Sequence, residues 1–176
     1  LTAADISYKC LGNLQYEITL KIYAQCSGIT PPNSASINIT GSGTCAGVSN
    51  VTTLNNISSS EVPIYCAAAP SDCNGGTLPG YREYIYKGTY TFPAQATGCT
   101  WTIAYNTCCR QPSITNIPSP SSNSLYVDAK LVDAGVCKNS PTFGNLPLFM
   151  TCANDQYNIT HATVDPDGGS LVYSLI

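Results

Sequence analysis

The 176-residue chain has few charged residues, seven Lys and Arg against ten Asp and Glu. That is 10% of the chain, whereas an ordinary soluble domain has roughly 25%. The net charge of -3 leaves no basic surface to neutralise a phosphate backbone, so we expect no nucleic-acid partner. Since 43% of the residues are hydrophobic, the chain has enough apolar material for a core, which excludes disorder of the whole chain.

The sequence also lacks the usual signatures of metal and catalytic sites. It has one histidine, His161, and no Cys-x-x-Cys pair, although structural zinc sites are built from such pairs or from mixed Cys and His sets. No Gly-x-Ser-x-Gly elbow accompanies His161 and Asp165. We therefore expect no enzyme and, calcium excepted, no cofactor.

Long apolar runs and helical periodicity are missing as well. No hydrophobic stretch approaches the roughly 20 residues that a membrane-spanning helix needs, so we expect no membrane insertion. No window keeps an apolar stripe at helical spacing for more than about two turns. The chain is therefore predicted to be all-β.

Cysteine, in contrast, is abundant. An even number of cysteines spread along the chain predicts a disulfide framework and an extracellular protein. The start at Leu1, without a signal peptide, fits a processed chain. The ten cysteines are Cys10, Cys26, Cys45, Cys66, Cys73, Cys99, Cys108, Cys109, Cys137 and Cys152.

The pairing of these cysteines is left open by their spacing. Cys108 and Cys109 could close a ring with each other or bond to two different partners. We expect separate partners, because adjacent Cα atoms about 3.8 Å apart lie below the usual disulfide span. The strand predicted at residues 100–105 would then be tied to two loops.

Alternation with a period of two predicts the strands. It is clearest over Tyr16–Cys26, and the Gly12-Asn13 turn predicts a hairpin with the preceding segment. The other predicted strands are Ile6–Leu11, Ser36–Thr40, Val51–Leu54, Arg82–Phe92, Thr100–Tyr105, Leu125–Val132, Leu148–Cys152 and Leu171–Leu175. Nine short strands predict a disulfide-rich, Ig-like β-sandwich followed by a short second β unit.

A change of composition near Asp133–Pro141 divides the chain. We predict a disulfide-stapled sandwich over residues 1–134 and strands of a second Ig- or cadherin-like unit over residues 135–176. About 40 residues bury too little surface to close a sandwich alone. The second unit is therefore predicted to be incomplete or completed by strand exchange.

Several segments together resemble a known family. They are Ile6–Tyr23, Cys108-Cys109-Arg110 followed by Ile114–Ile117, Asn139–Phe143 and Ala162–Leu175. They resemble the N-terminal region of large secreted surface proteins of the Bacteroidota, of the kind associated with gliding motility and exported by the type IX system. The resemblance implies an extracellular structural or adhesive role. One departure is the family's usual start, a His followed by a Gly-Gly-Glu stretch, which reads Thr2–Ile6 here.

Asp165 and Asp167 form the candidate metal site. They flank Pro166 and precede two glycines, and carboxylates at this spacing in a tight turn suit a hard cation such as calcium. The resemblance to the opening of a cadherin-like repeat implies the same ligand. A plain hairpin turn explains the same residues, because Asp, Pro and Gly all favour turns.

Tyr84, Tyr86 and Tyr90 are the candidate binding residues. They fall on one face of a predicted strand, where their rings could stack on the sugars of a surface polysaccharide. The alternative is a core whose tyrosine hydroxyls reach its rim, or a protein contact.

Leu171, Tyr173 and Leu175 are the candidate assembly residues, because an apolar final strand could add to the sheet of a neighbouring subunit.

Taken together, the sequence predicts an extracellular structural or adhesive module that acts through protein contacts, with surface polysaccharide as a further candidate partner. Self-assembly into a surface filament and carbohydrate binding are the alternatives.

Overall fold

A computed structural model describes residues 1–63, 70–93, 97–112, 114–150, 154, 156–158 and 160–174 of the protein. Over these residues the chain forms nine strands and two short 3-10 helices, at Asp72–Asn74 and Pro120–Ser122. The strands are β1 (Ala3–Gly12), β2 (Gln15–Gln25), β3 (Ser34–Gly43), β4 (Ser49–Val62), β5 (Tyr81–Thr91), β6 (Cys99–Thr107), β7 (Leu125–Val132), β8 (Thr142–Phe143) and β9 (Thr163–Val164).

Seven strands form one antiparallel sheet in the order β1-β2-β5-β4-β3-β6-β7. This is the strand order of the two sheets of a constant-type immunoglobulin domain, ABED and CFG, placed end to end. Here β4 pairs with β3 over seven residue pairs, so the two halves are continuous. The sheet curls until its two edges meet. At their junction the Tyr8 hydroxyl on β1 donates to the Lys130 carbonyl on β7 at 3.0 Å.

The predicted fold class is confirmed. The protein is an all-β, disulfide-rich domain with a sandwich-like, nearly closed sheet, followed by a second, two-stranded sheet of β8 and β9. The Gly12-Asn13 hairpin is also confirmed, since β1 pairs with β2 and Gly12 and Asn13 take φ values of 92° and 51°. These left-handed values favour Gly and Asn over other residues.

The core lies inside the curled sheet, where alternate residues of each strand point. On β2 the even positions from Tyr16 to Ile22 are fully buried. Aromatic rings form a chain through this core: Tyr8 contacts Tyr16 with ring centroids 5.8 Å apart, Tyr16 contacts Phe92 at 5.5 Å, and Phe92 contacts Trp101 at 5.3 Å. Trp101 is therefore enclosed by residues that come from distant parts of the sequence.

Two of the predicted strands are not formed over their described residues. Residues 148–150 and 171–174 have no ladder partner, and the second sheet is instead made by residues 142–143 and 163–164. Alternating apolar residues produce a strand only where a neighbouring strand accepts the backbone hydrogen bonds. The remainder of these two predictions, residues 151–152 and Leu175, lies outside the described residues.

Strand β4 is much longer than the predicted Val51–Leu54. Its second half is rich in Ser and Asn, which are uncommon in strands. It pairs with β5 from Asn55 to Val62, with a bulge between Asn56 and Ser58. Pairing with a strongly alternating neighbour overrides the weak strand propensity of this segment.

The segment after β7 is fastened to β1. Cys137 is bonded to Cys10, the Asn139 side chain accepts the Cys10 backbone N–H at 3.0 Å, and the Ser140 hydroxyl accepts the Tyr8 backbone N–H at 2.8 Å. The proposed division after residue 134 stays a prediction. The first residues of the predicted second unit are nevertheless attached to the first sheet.

Candidate functional site

Disulfides join the ends of strands to loops. Cys10–Cys137, Cys26–Cys73 and Cys45–Cys99 span 127, 47 and 54 residues. Each bridge of this kind stabilises the fold by on the order of 2–4 kcal/mol, mainly by restricting the unfolded chain. Cys66 and Cys152 lie outside the described residues. These bridges indicate an oxidising environment, which confirms the coarse prediction of an extracellular protein.

The expectation for Cys108 and Cys109 is wrong. The two residues are bonded to each other, across a cis peptide bond with their Cα atoms 3.1 Å apart. The expectation of separate partners assumed the trans spacing of adjacent Cα atoms. The pair therefore does not tie β6 to two loops; instead, the Arg110 backbone N–H donates to the Asn123 carbonyl at 3.0 Å.

The candidate calcium residues lie in a hydrogen-bonded turn. The Asp165 carboxylate accepts the backbone N–H groups of Asp167 at 2.8 Å and Gly169 at 3.1 Å. The Asp167 carboxylate accepts two N–H groups of Asn139, one backbone and one side-chain, both at 2.7 Å. These bonds hold the pKa of Asp167 below its usual value. The turn alternative accounts for all four bonds, while calcium stays a prediction.

One further group of metal-ligand types occurs within the described residues, formed by Cys26, Asp72 and Cys73. Its two sulfur atoms are bonded to each other, and the Asp72 carboxylate accepts the Gly80 backbone N–H at 2.7 Å. Metal binding needs free thiolates. The group is therefore explained as a disulfide next to a capped loop.

The tyrosine platform predicted on β5 is wrong for Tyr86. Its side chain is fully buried, and its hydroxyl donates to the Pro32 carbonyl at 2.7 Å. Tyr84 and Tyr90 are partly buried and pack against the same core, and the Tyr90 hydroxyl accepts a hydrogen bond from the Asn50 side chain at 3.0 Å. The face that these tyrosines share points inward, which is the core alternative.

Six charged side chains lie on one outer surface. We define the charged wall as the outward positions of β1, β2 and β5. They include Asp5, Lys9, Glu17, Lys21, Glu83 and Lys87. Two ion pairs lie on it, Lys87–Glu17 at 2.8 Å and Lys21–Glu83 at 3.6 Å.

Part of the charged wall is covered. Phe149 stacks on Tyr81 with ring centroids 4.4 Å apart and contacts Tyr23 at 5.6 Å. Under this cover the Tyr23 hydroxyl donates to the Glu83 carboxylate at 2.9 Å, and Glu83 is 7% exposed. Burial raises the pKa of Asp5, which lies opposite Lys21 on the same wall.

The outward positions of three other strands carry no charge, and the neighbouring strand β7 carries the exposed charges of Asp128 and Lys130. We define the neutral face as the outward positions of β3, of β4 before its bulge, and of β6. They are Ser34, Ser36, Asn38, Thr40 and Ser42 on β3, Ser49, Val51, Thr53 and Asn55 on β4, and Thr100, Thr102, Ala104 and Asn106 on β6. Eleven of these thirteen residues carry a hydroxyl or an amide. The sequence signal for this face is the alternation over residues 34–42, where every second residue is Ser, Asn or Thr.

The region after residue 140 is open. None of the described residues from 141 to 174 is buried. Its exposed large apolar side chains are Phe143, Leu146, Val164, Val172 and Tyr173, which are 44–91% exposed. Of the predicted assembly residues, Leu171 is partly exposed and Tyr173 contacts His161 with ring centroids 6.2 Å apart. Leu175 lies outside the described residues.

The described residues line more than one cavity. One, of about 170 Å³, is lined in part by Asp133, whose carboxylate accepts the backbone N–H groups of Gly98 and Cys99 at 2.7 and 3.2 Å. Another, of about 410 Å³, lies against Leu146, Leu148 and Tyr157 in the open region. Neither described lining combines a nucleophile with a neighbouring base, so neither supports a catalytic assignment.

Comparisons with protein-family models, with curated proteins and with solved structures found no match. The resemblance to Bacteroidota surface proteins therefore stays a prediction. Within the described part of the chain, no helix is both long enough and apolar enough to cross a membrane.

Proposed function

We propose that this chain is an extracellular structural or adhesive module of a bacterial cell surface, and that it acts through contact surfaces rather than by catalysis. The observation that carries the proposal is the Cys10–Cys137 bridge, which joins the first strand to the segment that follows the last strand of the main sheet. The predicted family resemblance and the oxidising environment agree with this role.

The bridge determines how the module transmits tension. Force applied between Leu1 and the region after Cys137 follows β1 to Cys10 and then crosses the disulfide. Residues 11–136 lie outside this covalent path, so strands β2 to β7 are not stretched and β1 is the strand of the main sheet that carries the load. A module that joins other parts of a surface protein would keep its folded contact surfaces under load.

Single-molecule pulling between handles at the two ends of the chain tests this role. The native chain should release no length from residues 11–136 under non-reducing conditions. In the double variant Cys10→Ser/Cys137→Ser, the shortest covalent route through the bridges of the described residues follows the backbone to Cys45 and crosses to Cys99. Residues 11–45 and 100–136 should therefore be released in addition. About 70 residues at roughly 3.4 Å each add about 240 Å.

The matched control is Cys26→Ser/Cys73→Ser, which removes a bridge that the load does not cross. It should extend like the native chain. If the Cys10→Ser/Cys137→Ser variant released no additional length before the handles detached, the bridge would carry no load and the mechanical role would be rejected.

A second candidate function is self-assembly by strand exchange, and the open region after residue 140 favours it. A β unit with no buried described residue and five exposed large apolar side chains lacks the packing that stabilises an independent sheet. A strand from a second copy could cover these side chains by β-addition.

Deletion of Ser170–Ile176 tests the second candidate. Polymers of the native chain, measured by sedimentation and electron microscopy, should disappear while the main sheet keeps its melting temperature. Val172→Ser should weaken assembly, and Ile29→Ser is its matched control because both side chains are 91% exposed. Unchanged polymers after the deletion would reject strand exchange.

A further inference from the structure

The neutral face presents hydrogen-bonding groups in a regular array. On β3 the outward residues Ser36, Asn38 and Thr40 are exposed, and the residues between them are buried in the core. Successive outward residues on a strand lie roughly 6.6–6.8 Å apart, and neighbouring strands are about 4.8 Å apart. Hydroxyl and amide groups therefore repeat in two directions over three paired strands.

This composition differs from that of an ordinary solvated surface. Solvated surfaces are usually rich in Lys and Glu, and the same domain has such residues on its charged wall. The thirteen positions of the neutral face have none. Covering a charged side chain with a neutral partner costs much more than covering a hydroxyl that gains a hydrogen bond. An uncharged face is therefore complementary to a partner without charge.

The same composition argues against a protein partner. The centres of protein interfaces are enriched in aromatic residues, Met and Arg, and none of these occurs at the thirteen positions. A hydroxyl-rich partner can instead form hydrogen bonds with many groups of this surface, because hydroxyl and amide groups can both donate and accept them.

Strand β7 borders the neutral face and supplies an aromatic ring, together with the charges of Asp128 and Lys130 farther along the same outward row. Tyr126 lies opposite Asn106 and is 55% exposed. One position along, Ala104 lies between Asn38 and Asp128 and is only 7% exposed. Because the alanine side chain is short, the surface is lower between the Asn38 and Asp128 side chains. A sugar ring stacked on Tyr126 would bring its hydroxyls to the Asn106 amide, and the next sugar of a chain that crosses the strands would reach the Asn38 amide.

We propose that the neutral face binds a neutral polysaccharide, with Tyr126 as the stacking residue and Asn38, Thr40 and Asn106 as hydrogen-bonding residues. This inference rests on the proposed adhesive function and names its partner. It also places carbohydrate binding on the opposite side of the sheet from the predicted Tyr84, Tyr86 and Tyr90 platform.

Affinity electrophoresis of the full chain tests the proposal. Native gels would contain dextran, galactomannan or xyloglucan, with alginate as the acidic comparison and a gel without polysaccharide as the mobility reference. At least one neutral polysaccharide should retard the native chain, and alginate should not. Asn38→Lys/Thr40→Lys and Tyr126→Ala should each weaken retardation about tenfold or more.

Each variant has a matched control outside the neutral face. Thr89→Lys/Thr91→Lys adds the same two charges to alternate exposed positions of the charged wall. Tyr173→Ala removes a tyrosine that is 61% exposed in the open region. Both controls should migrate like the native chain relative to the reference gel.

The proposal is overturned if no neutral polysaccharide retards the native chain, or if the face variants and their controls are retarded equally. The pulling experiment separates this result from a failure of the adhesive function. Loss of polysaccharide binding with an intact Cys10–Cys137 load path rejects only the partner. A failed load path with retained polysaccharide binding rejects only the mechanical role.

Discussion

The Tyr8 hydroxyl lies 3.0 Å from the Lys130 carbonyl oxygen and donates a hydrogen bond to it. The two residues are 122 positions apart in the sequence. They belong to β1 and β7, which form the two edges of the sheet. A single side chain thus connects the ends of a seven-stranded ladder. The edge strands face each other, and their backbone groups are less available for pairing with other chains.

Replacing Tyr8 with Phe removes this hydrogen bond and keeps the ring contact with Tyr16. We expect the free energy of unfolding to fall by about 0.5–1.5 kcal/mol. Chemical denaturation measures the loss, and amide exchange should increase on β1 and β7 more than on β3 and β4. Uniform exchange over all strands would contradict a local role for Tyr8 at the junction of the edges.

Gly41 on β3 has no room for a side chain. A Cβ atom there would lie 2.9 Å from the Cys45 sulfur and 3.1 Å from the Trp101 ring, with the Cys45 carbonyl oxygen closer still. Gly41→Ala should destabilise the fold by about 1–3 kcal/mol through overpacking. Gly135→Ala is the matched control, because nothing lies within 4 Å of its Cβ; thermal melting of the two variants should differ clearly.

Alkaline pH should destabilise the fold through its buried tyrosines. Burial raises the pKa of Tyr8 to about 12 from its usual value near 10, and burial together with the Glu83 carboxylate raises the pKa of Tyr23. The unfolded chain loses these protons first, so stability is fully present below pH 10 and declines as the pH rises towards 12 and beyond. Urea midpoints at pH 9 and pH 11 measure the decline, and Tyr8→Phe should reduce it. Equal midpoints at the two pH values would contradict the expected linkage.

Calcium binding at Asp165 and Asp167 predicts a higher melting temperature in millimolar Ca²⁺. A ligand at ten times its Kd adds about 1.4 kcal/mol. Asp165→Ala and Asp167→Ala should abolish the shift, and Asp128→Ala, which removes an exposed acid on β7, should keep it. If Ca²⁺ produces no shift, the hydrogen-bonded turn alone explains both aspartates.

Alternation allowed strands of the first sheet to be predicted, because residues 15–22 of β2 and 34–40 of β3 bury every second side chain. The pattern could not identify which side of β5 faces inward, because both sides carry large apolar or aromatic residues. Tyr81 and Ile85 lie on one side, and Tyr84 and Tyr86 on the other. That ambiguity produced the error at Tyr86. Strands β8 and β9 have two residues each, which is too short for any periodicity.

The candidate sites depended on information that is not local. The neutral face exists only because three strands distant in sequence lie side by side, so its lack of charge is invisible in any one segment. The Asp165-Pro166-Asp167 turn could be recognised from its residue types. Its attachment to Asn139 could not, because 28 residues separate the two partners.

The nesting of the disulfides also decides what a protease can do to this protein. A single peptide-bond cleavage anywhere between Cys10 and Cys137 leaves the two pieces joined, because one sulfur of that bridge remains on each side of the cut. Within this interval, Cys26–Cys73 and Cys45–Cys99 interleave, so a nick between Cys45 and Cys73 is spanned by all three long-range bridges of the described residues. Nicked molecules would therefore stay in place as one covalent unit, and damage by extracellular proteases would become visible only after reduction.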